Sequence, residues 1–352
     1  MTTDMPRLLA ISTALPPFRL TQVEIEHRAH HYFAGATALD LDRLMPVFAN
    51  AGIDARYSCV PMEWYDVAHG WAERNELYLS NAVALLETAA RQCLAQAALA
   101  ANQIDAVVVV STTGIATPSL DAILIDRLGL RNDIRRLPIF GLGCAGGVIG
   151  LSRAADLARA WPGARILFLV VELCALSFRK GDSSKSNFVA TALFGDGAAA
   201  AIVGPGDDAD GPTIGSGGEH TWPDSLNVMG WEVEEDGLKA IFSRDIPALV
   251  RRDFRAAAER FLAKQNLGVA DIDHFICHPG GTKVLAALEA SFEMKNGALD
   301  IARGVLRDCG NMSAATAMFV LDRSLKAGVS GPMLMTALGP GFTAAFLLLD
   351  PA

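Results

Sequence analysis

The sequence predicts an α/β layered fold that is built from a duplicated unit. Continuous apolar segments over 104–114, 165–172 and 198–203 have the length of buried strands, and they alternate with segments of helical periodicity. Three segments of the first part of the chain also recur, in the same order, in the second part. With 51% hydrophobic and 20% charged residues among 352, the chain can bury large sheets.

Local signals predict the remaining elements. Thr21 and Glu24 have the spacing of a capping box, which opens a helix through His31. A short apolar run over 137–140 is expected to be a buried strand, and residues 56–58 begin an irregular stretch that is rich in tryptophan. Further predictions are a first strand over 8–14 and helices over 39–50, 76–101 and 119–128.

The repeat suggests how the chain is divided. The segment 104–114 is echoed by 272–281, the helix start at Gly143-Cys144 by Gly310-Asn311, and the segment 192–203 by 337–348. We therefore predict a first half over 1–206 that carries Cys144 and a second half over 207–352 that carries His278 and Asn311. A glycine- and aspartate-rich linker over 205–218 is expected to join them.

A glycine-rich turn over 140–150 surrounds Cys144. Glycines permit a sharp turn between a strand and a helix, and a cysteine at a helix N-terminus is favoured as the reactive thiolate. Two alternatives stay open from this stretch alone. The cysteine could be buried and inert, or Gly141, Gly143 and Gly146 could form a dinucleotide-binding turn, although Glu172 lies too far along the chain for the acidic partner of that motif.

The repeat brings three chemically suited side chains towards one crevice. Cys144 and Asn311 occupy equivalent helix starts, and His278 ends the strand that corresponds to 107–111. A histidine can hold a cysteine as thiolate, and both histidine and asparagine N–H groups can stabilise a developing oxygen anion. The sequence therefore predicts a catalytic set of Cys144, His278 and Asn311.

Composition excludes several other classes of function. The net charge of −9 argues against nucleic acid or an anionic membrane as a partner, and neither a signal peptide nor a membrane-length apolar run is apparent. None of the six cysteines has metal or redox spacing, which indicates reduced thiols in a cytoplasmic protein. His27 and His31 lie one helical turn apart, but with no further ligand nearby we expect a solvated helix face and no metal site.

These motifs resemble the thiolase-fold condensing enzymes and, more narrowly, the type III polyketide synthases of the chalcone synthase-like family. Segments near Met229 and Ser243 resemble the bacterial branch. The resemblance implies the duplicated five-layered αβαβα thiolase fold and a homodimer. The matching pieces are Gly143-Cys-Ala-Gly-Gly147, Phe194-Gly-Asp-Gly-Ala198, His278-Pro-Gly-Gly281, Gly310-Asn-Met-Ser313 and Gly339-Pro-Gly341.

The resemblance also implies a reaction. Cys144 would take an acyl group from a CoA starter, malonyl-CoA would lose CO2, and His278 and Asn311 would stabilise the resulting enolate. The carbanion would attack the thioester on Cys144, and repeated extension would precede cyclisation. Acyl-CoA and malonyl-CoA are then substrates, and no metal or redox cofactor is needed.

By the same resemblance, several residues are expected to shape the substrate pocket. Ala240 would widen an entrance beside Phe194, and Trp231 would reshape the cyclisation pocket. Small residues would leave volume for a medium- or long-chain fatty acyl starter, which predicts alkylpyrones or alkylresorcinols. The remaining pocket residues are Thr113, Thr117, Cys174, Glu172, Ser313 and Gly281, and the CoA-binding candidates are Arg43 and Arg56.

Three rival functions remain to be weighed. A ketoacyl-ACP synthase III would make a single condensation on an acyl carrier protein. A partner subunit with the thiolase fold would be non-catalytic, although such partners tend to lose the nucleophile. The third rival is the nucleotide-binding oxidoreductase that the glycine pattern suggests.

Overall fold

The computed structural model describes residues 5–33, 41–206 and 211–350. Nine strands pair in the order β11-β12-β13-β8-β1-β7-β6-β4-β5, and the pairing of Arg7 with Thr213 joins β1 to β8. The strands are β1 (Arg7–Ala14), β4 (Ala106–Val110), β5 (Arg135–Ile139), β6 (Ile166–Leu173), β7 (Asp196–Gly204), β8 (Thr213–Thr221), β11 (His274–Cys277), β12 (Met333–Gly339) and β13 (Thr343–Asp350).

Two small two-stranded sheets lie outside this nine-stranded sheet. One pairs β2 (Phe18–Thr21) with β3 (Ala55–Ser58), and the other pairs β9 (Met229–Glu234) with β10 (Gly237–Phe242). The helices are α1 (Gln22–Phe33), α2 (Leu41–Leu44), α3 (Pro46–Asn50), α4 (Trp71–Gln96), α5 (Leu120–Leu128), α6 (Gly146–Ala160), α7 (Lys185–Leu193), α8 (Ile246–Leu249), α9 (Arg255–Ala263), α10 (Thr282–Phe292), α11 (Asp300–Cys309) and α12 (Ala314–Lys326).

The two halves of the nine-stranded sheet, on either side of the junction between β1 and β8, have the same strand arrangement. On one side β4 runs parallel to β6, and β6, β7 and β1 follow in antiparallel order. On the other side β11 runs parallel to β12, and β12, β13 and β8 follow in antiparallel order. The segments that repeat in sequence, 104–114 and 272–281, therefore contain corresponding strands. The division of the chain at 206 falls beside residues outside the described part and stays a prediction.

Helices and strands stack in five layers. In β4, Val107 and Val109 face the core formed with α4, while Val108 and Val110 face α6. Alternate residues are thus buried on both faces, which explains the continuous apolar runs. The helices α6 and α12 pack together between the two sides of the ladder, and α9 covers β8 and β13 from outside. This layering confirms the predicted αβαβα fold.

Most predicted elements are present, with four corrections. The segment 56–58 is a strand, because its partner is the distant β2. The segment 39–50 holds two short helices that Met45 separates, and its first two residues lie outside the described part. The run 137–140 is an exposed edge: β5 has only one neighbouring strand, and Phe140 is 62% exposed. The expected linker ends earlier, since β8 begins at Thr213.

The predicted capping box is present at the start of α1. The backbone N–H and hydroxyl of Thr21 both donate to the Glu24 carboxylate, and the Glu24 N–H donates back to the Thr21 hydroxyl. His27 and His31 lie exposed on this helix, and no group of three metal-ligating side chains occurs within residues 5–33, 41–206 and 211–350. In that part of the chain, no helix is both long and apolar enough to cross a membrane.

Candidate active site

Cys144, His278 and Asn311 line one cavity of about 420 Å³. Cys144 lies in the single helical turn Gly143–Ala145 that precedes α6. Asn311 lies in the short connection between α11 and α12, and His278 directly follows β11. The two central helices thus begin at the cavity, one from each side of the ladder. The structure brings together the three residues that the sequence selected.

The turn around Cys144 is held by close packing against the end of the chain. Gly143 adopts φ +47°, and its N–H donates to the Thr112 hydroxyl at 3.2 Å. A Cβ at Gly143 would lie 2.6 Å from the Pro340 ring, and one at Gly339 would lie 2.5 Å from the Leu142 carbonyl oxygen. Glycine is therefore required at both positions, because a side chain at either one would clash with the opposite loop.

The Asn311 side chain is held in one orientation. Its Oδ1 accepts a hydrogen bond from the Ser313 N–H at 2.9 Å, and its Nδ2 donates to the Gly280 carbonyl at 3.2 Å. An amide nitrogen carries two N–H groups, so one donor remains for a substrate oxygen. The Asn311 backbone forms a bridge to the segment around Phe194, with hydrogen bonds of 2.8 Å to the Leu193 carbonyl and 3.0 Å from the Gly195 N–H.

His278 is buried, and neither of its ring nitrogens has a hydrogen-bond partner within the described residues. Its backbone N–H donates to the Thr336 carbonyl at 2.9 Å, which fixes the main chain at the end of β11. Burial lowers the pKa of the His278 imidazole to about 4, so the ring is neutral at physiological pH. A neutral imidazole offers one acceptor and one donor nitrogen.

Cys144 is a neutral thiol in this arrangement. Burial raises the pKa of Cys144 to about 12, a hydrogen bond with Ser313 lowers it, and the Glu172 carboxyl raises it again. This differs from the thiolate that the helix N-terminus led us to expect. The backbone dipole is outweighed by desolvation, and the neighbouring imidazole is unprotonated.

Glu172 lies fully buried near the sulfur. One carboxyl oxygen accepts a hydrogen bond from the Thr112 N–H at 3.0 Å, and the other has no hydrogen-bond partner among the described residues. Burial raises the pKa of Glu172 to about 7, against the lowering effect of hydrogen bonds with Thr112, Thr113 and Ser313. Thr113 also accepts a hydrogen bond from the Leu173 N–H at 2.9 Å. Ser313 therefore connects the cysteine, the asparagine and this carboxyl.

Aromatic rings close the space that we expected to be open. The Phe194 ring centroid lies 5.9 Å from that of Trp231 and 5.5 Å from that of Phe242. Cys174 and Ala240 are buried in the same apolar cluster, and Thr113 and Trp231 border a separate space of only about 10 Å³. The small side chains thus leave no large volume there. The large cavity instead lies on the side of α3, α7 and α10.

Two predicted site residues differ in outcome. Thr117 is exposed in the single chain, on the loop between β4 and α5, and its place in the substrate pocket stays a prediction. Arg56 is 2% exposed and donates hydrogen bonds to backbone carbonyls, so it cannot contact CoA at the surface. Arg43 and Gly281 do line the cavity. The prediction for Arg56 rested on its nearness to Arg43 in sequence, but the strand β3 carries it inward.

Sequence analysis missed three basic residues at this cavity. Lys185, Arg244 and Lys283 are exposed and line it together with Arg43, and no acidic residue is among its lining. These residues come from three distant segments of the chain, so no local sequence motif predicts that they lie together. The position of Lys283, five residues after His278, is the only available signal.

Comparison with known proteins decides the family. Residues 5–207 match the N-terminal domain of the chalcone and stilbene synthases, and residues 214–350 match the C-terminal domain. The chain belongs to the chalcone and stilbene synthase family. It is a type III polyketide synthase, an acyltransferase of the condensing type with the thiolase fold.

Several relatives of this synthase are bacterial and match over nearly the whole chain. A chalcone synthase-like protein of Bacillus subtilis (strain 168) is 38% identical, covering 98% of this chain and 99% of its own. The 1,3,6,8-tetrahydroxynaphthalene synthase of Streptomyces peucetius subsp. caesius is also 38% identical, covering 97% of this chain and 92% of its own. The crystal structure of the Streptomyces coelicolor A3(2) enzyme of that name is 27% identical, with a TM-score of 0.91 over 98% of this chain and 99% of that one.

Family membership decides between the alternatives that the sequence left open. It disfavours the dinucleotide-binding turn and the ketoacyl-ACP synthase III, since both family models belong to chalcone and stilbene synthases. The inert-cysteine alternative is disfavoured by geometry, because Cys144 borders the cavity beside His278 and Asn311. The synthase also retains the nucleophile that a non-catalytic partner subunit tends to lose.

Proposed function

We propose that this synthase loads an acyl-CoA starter onto Cys144 and extends it by repeated decarboxylative condensation with malonyl-CoA. The observation that carries the proposal is the shared cavity of Cys144, His278 and Asn311. The three side chains supply a nucleophile, a neutral acid–base group and an amide donor. We further propose that these residues perform the chemistry without a metal or redox cofactor.

The chemistry follows from the protonation states. As the Cys144 sulfur attacks the thioester carbonyl of the starter, its proton passes to His278, and CoA leaves. His278 returns that proton to the CoA thiolate. Malonyl-CoA then loses CO2, and the electron pair of the broken bond forms an enolate whose oxygen accepts hydrogen bonds from the His278 N–H and the Asn311 Nδ2. The enolate carbon attacks the acyl-Cys144 carbonyl, which expels the Cys144 sulfur as a thiolate and leaves the chain, two carbons longer, on CoA. The thiolate can then attack this new CoA thioester, releasing CoA and taking the chain back for the next extension.

Basic side chains at the mouth support a CoA thioester as substrate. Arg43, Lys185, Arg244 and Lys283 are exposed where the cavity opens, in a protein of net charge −9. A local positive field in a negatively charged molecule attracts an anionic ligand to that opening. The phosphates of CoA match this charge, and the thioester can then lie towards Cys144.

For the starter, we propose a medium- or long-chain fatty acyl group and, as products, alkylpyrones or alkylresorcinols. Apolar side chains along the cavity support an apolar substrate, namely Val47, Val189, Leu193, Met229, Phe254 and Leu288. One observation favours a second candidate. The ring cluster around Phe194 packs with Cys174 and Ala240 and fills space that small side chains would have left open, and a 38% identical relative is named for 1,3,6,8-tetrahydroxynaphthalene. The second candidate is therefore an aromatic product made from malonyl-CoA alone.

Product analysis separates the two candidates. Purified protein is given carbon-labelled malonyl-CoA, alone or with acyl-CoA starters from two to sixteen carbons, and extracts are analysed by liquid chromatography and mass spectrometry. The fatty starter predicts labelled tri- and tetraketides that retain the unlabelled acyl chain, with yield rising towards lauroyl-CoA. A fully labelled aromatic product that forms equally well without starter would establish the second candidate instead.

Assembly and location are also proposals. We propose a homodimer, supported by the exposed apolar side chains of Ile115 and Phe140, which are 51% and 62% exposed. We place the enzyme in the cytoplasm, supported by six cysteines that are all free thiols.

A further inference from the structure

Arg56 in β3 has a buried guanidinium group whose hydrogen bonds all go to neutral oxygens. It donates to the backbone carbonyls of Thr191 at 2.7 Å, Ala192 at 2.8 Å and Phe194 at 3.2 Å, and to the Gln22 side-chain oxygen. Burial lowers the pKa of Arg56 to about 9, so the group remains charged at neutral pH. A buried cation without a carboxylate is costly to fold, which indicates that its position serves a purpose.

The three carbonyls belong to the last turn of α7 and to the residue that follows it. The final carbonyls of a helix have no partner within the helix, and they carry the negative end of its dipole. The Arg56 guanidinium group therefore caps the C-terminus of α7 and fixes the direction in which the chain continues. The next residue is Phe194, whose ring packs against Trp231 and Phe242.

Gln22 completes this arrangement from the start of α1. Its side-chain nitrogen donates to the Phe48 carbonyl at 3.0 Å and to the Ala192 carbonyl at 3.2 Å, while its oxygen accepts from Arg56. Both side chains are buried, at 6% and 2% exposure. The pair thus forms a buried polar network whose only charge is that of Arg56, and among the described residues only the Arg56 Nε lacks a hydrogen-bond partner in it.

The stem of Arg56 also touches the segment that carries Asn311. Its Cβ lies 3.1 Å from the point where a Cβ on Gly195 would stand and 3.2 Å from the equivalent point on Gly310. These two glycines flank the bridge between Phe194 and Asn311, in which the Gly195 N–H donates to the Asn311 carbonyl and the Asn311 N–H donates to Leu193. Arg56 therefore lies against both segments of the bridge.

We propose that Arg56, supported by Gln22, is the positioning residue that sets Asn311 and Phe194 relative to Cys144, and thereby keeps decarboxylation of malonyl-CoA coupled to condensation. The inference rests on the proposed function. Loss of CO2 requires an N–H group at the enolate oxygen, whereas condensation also requires the enolate carbon to meet the thioester on Cys144. A small shift of the bridge impairs the second requirement more than the first.

The test compares Arg56→Lys with Arg74→Lys as a matched control. Arg74 is also a buried arginine, at 6% exposure, and it donates to the backbone carbonyls of His69, Leu176 and Phe178. Both variants keep the positive charge but replace the planar guanidinium, with its several N–H donors, by a single ammonium group. Gln22→Met provides a milder second probe of the same network should Arg56→Lys fail to fold.

Two measurements are made on each protein. Hydrogen exchange should be at least fivefold faster than in the wild type at the amides of Gly195 and Asn311 in Arg56→Lys and Gln22→Met, and unchanged there in Arg74→Lys. The ratio of acetyl-CoA released to polyketide formed should rise at least threefold in the first two variants only. The KM for malonyl-CoA should stay within twofold of the wild type.

Unchanged exchange at both amides in Arg56→Lys would overturn the positioning role, whether or not the protein turns over. The same change in Arg74→Lys would also overturn it, because a general loss of stability would then explain the effect. If the wild type made no polyketide, the proposed function would fail, and the exchange data would still decide the structural claim.

Discussion

Gly147 and Ala314 approach so closely that a Cβ built on Gly147 would lie 2.2 Å from the Ala314 carbonyl oxygen. The contact joins the first turns of α6 and α12, the two helices that begin at the cavity. The positions of Cys144 and Asn311 relative to each other therefore depend on the absence of a side chain at Gly147.

Replacing Gly147 with alanine should separate the two helix starts. Backbone atoms rather than a flexible side chain oppose the new methyl group, so we expect the free energy of unfolding to fall by about 2 kcal/mol or more and activity to fall with it. Urea denaturation measures the first effect. Gly304→Ala in α11 is the matched control, since its new Cβ meets nothing closer than 3.7 Å and alanine should stabilise that helix by about 0.5–1 kcal/mol. Equal stability of the two variants would contradict the close contact.

The protonation state of Cys144 predicts how its alkylation depends on pH. With a pKa of about 12, only about one thiol in ten thousand is ionised at pH 8, and the thiolate is the reactive form. The rate of modification by iodoacetamide should therefore rise about tenfold for each pH unit from 7 to 10, without a plateau. His278, with a pKa of about 4, should add no inflection between pH 5 and 8.

Peptide mapping identifies the modified residue, and Cys144→Ala gives the background from the other cysteines, all of which are buried. A plateau below pH 8 would show instead that the free enzyme already holds a thiolate and imidazolium pair.

Glu172 predicts a pH dependence of stability. Its pKa is raised from 4.5 to about 7, so the folded protein keeps a proton that the unfolded chain loses between these values. The contribution of this group is fully present below pH 4.5 and is lost as the pH rises through 7, by about 3 kcal/mol. Asp196 has a pKa raised in the same direction and adds to the slope.

In Glu172→Gln, the free energy of unfolding should therefore fall less steeply between pH 4.5 and 7 than in the wild type. Removing the carboxylate should also lower the pKa of Cys144 and speed its alkylation, because Glu172 raises that pKa. Parallel stability profiles for the two proteins would contradict a titrating Glu172.

The basic mouth predicts a selective loss of affinity for CoA substrates. Lys283→Glu reverses one charge where the cavity opens, and we expect the KM for acyl-CoA to rise about tenfold at low salt and less at high salt. The KM for an N-acetylcysteamine thioester, which lacks the phosphates, should change by less than twofold. Lys264→Glu, at an exposed lysine outside the cavity, is the matched control. Equal effects on both substrates would contradict a phosphate-binding mouth.

The sequence predicted those features of the fold and the site that depend on local patterns or on the internal repeat. A duplicated α/β layered fold followed from apolar runs and an internal repeat, and the family resemblance implied its five layers. The repeat also brought Cys144, His278 and Asn311 together. Arg56 was misplaced because its side-chain direction depends on tertiary packing: β3 pairs with the distant β2 and carries Arg56 inward.

The shape of the cavity and its charges could not be predicted from the sequence, because they also depend on tertiary packing. Its mouth joins Lys185, Arg244 and Lys283 from three separate segments, and its wall includes Phe242, whose ring contacts that of Phe194. The thiol of Cys144 stays protonated because of burial, which sequence spacing does not reveal. Residue types and the repeat therefore predicted which side chains share the cavity, and the resemblance implied the reaction, whereas the volume and the protonation states required the three-dimensional packing.

The most direct measurement is intact-protein mass spectrometry of the purified enzyme after a brief incubation with lauroyl-CoA, followed by peptide mapping and a chase with carbon-labelled malonyl-CoA. The account predicts one acyl group per chain on Cys144, which leaves the protein during the chase as a labelled polyketide. Asn311→Ala should load normally but fail to discharge the acyl group into product. An acyl group on another residue, or a chase that releases only the free fatty acid, would contradict the proposed condensing site.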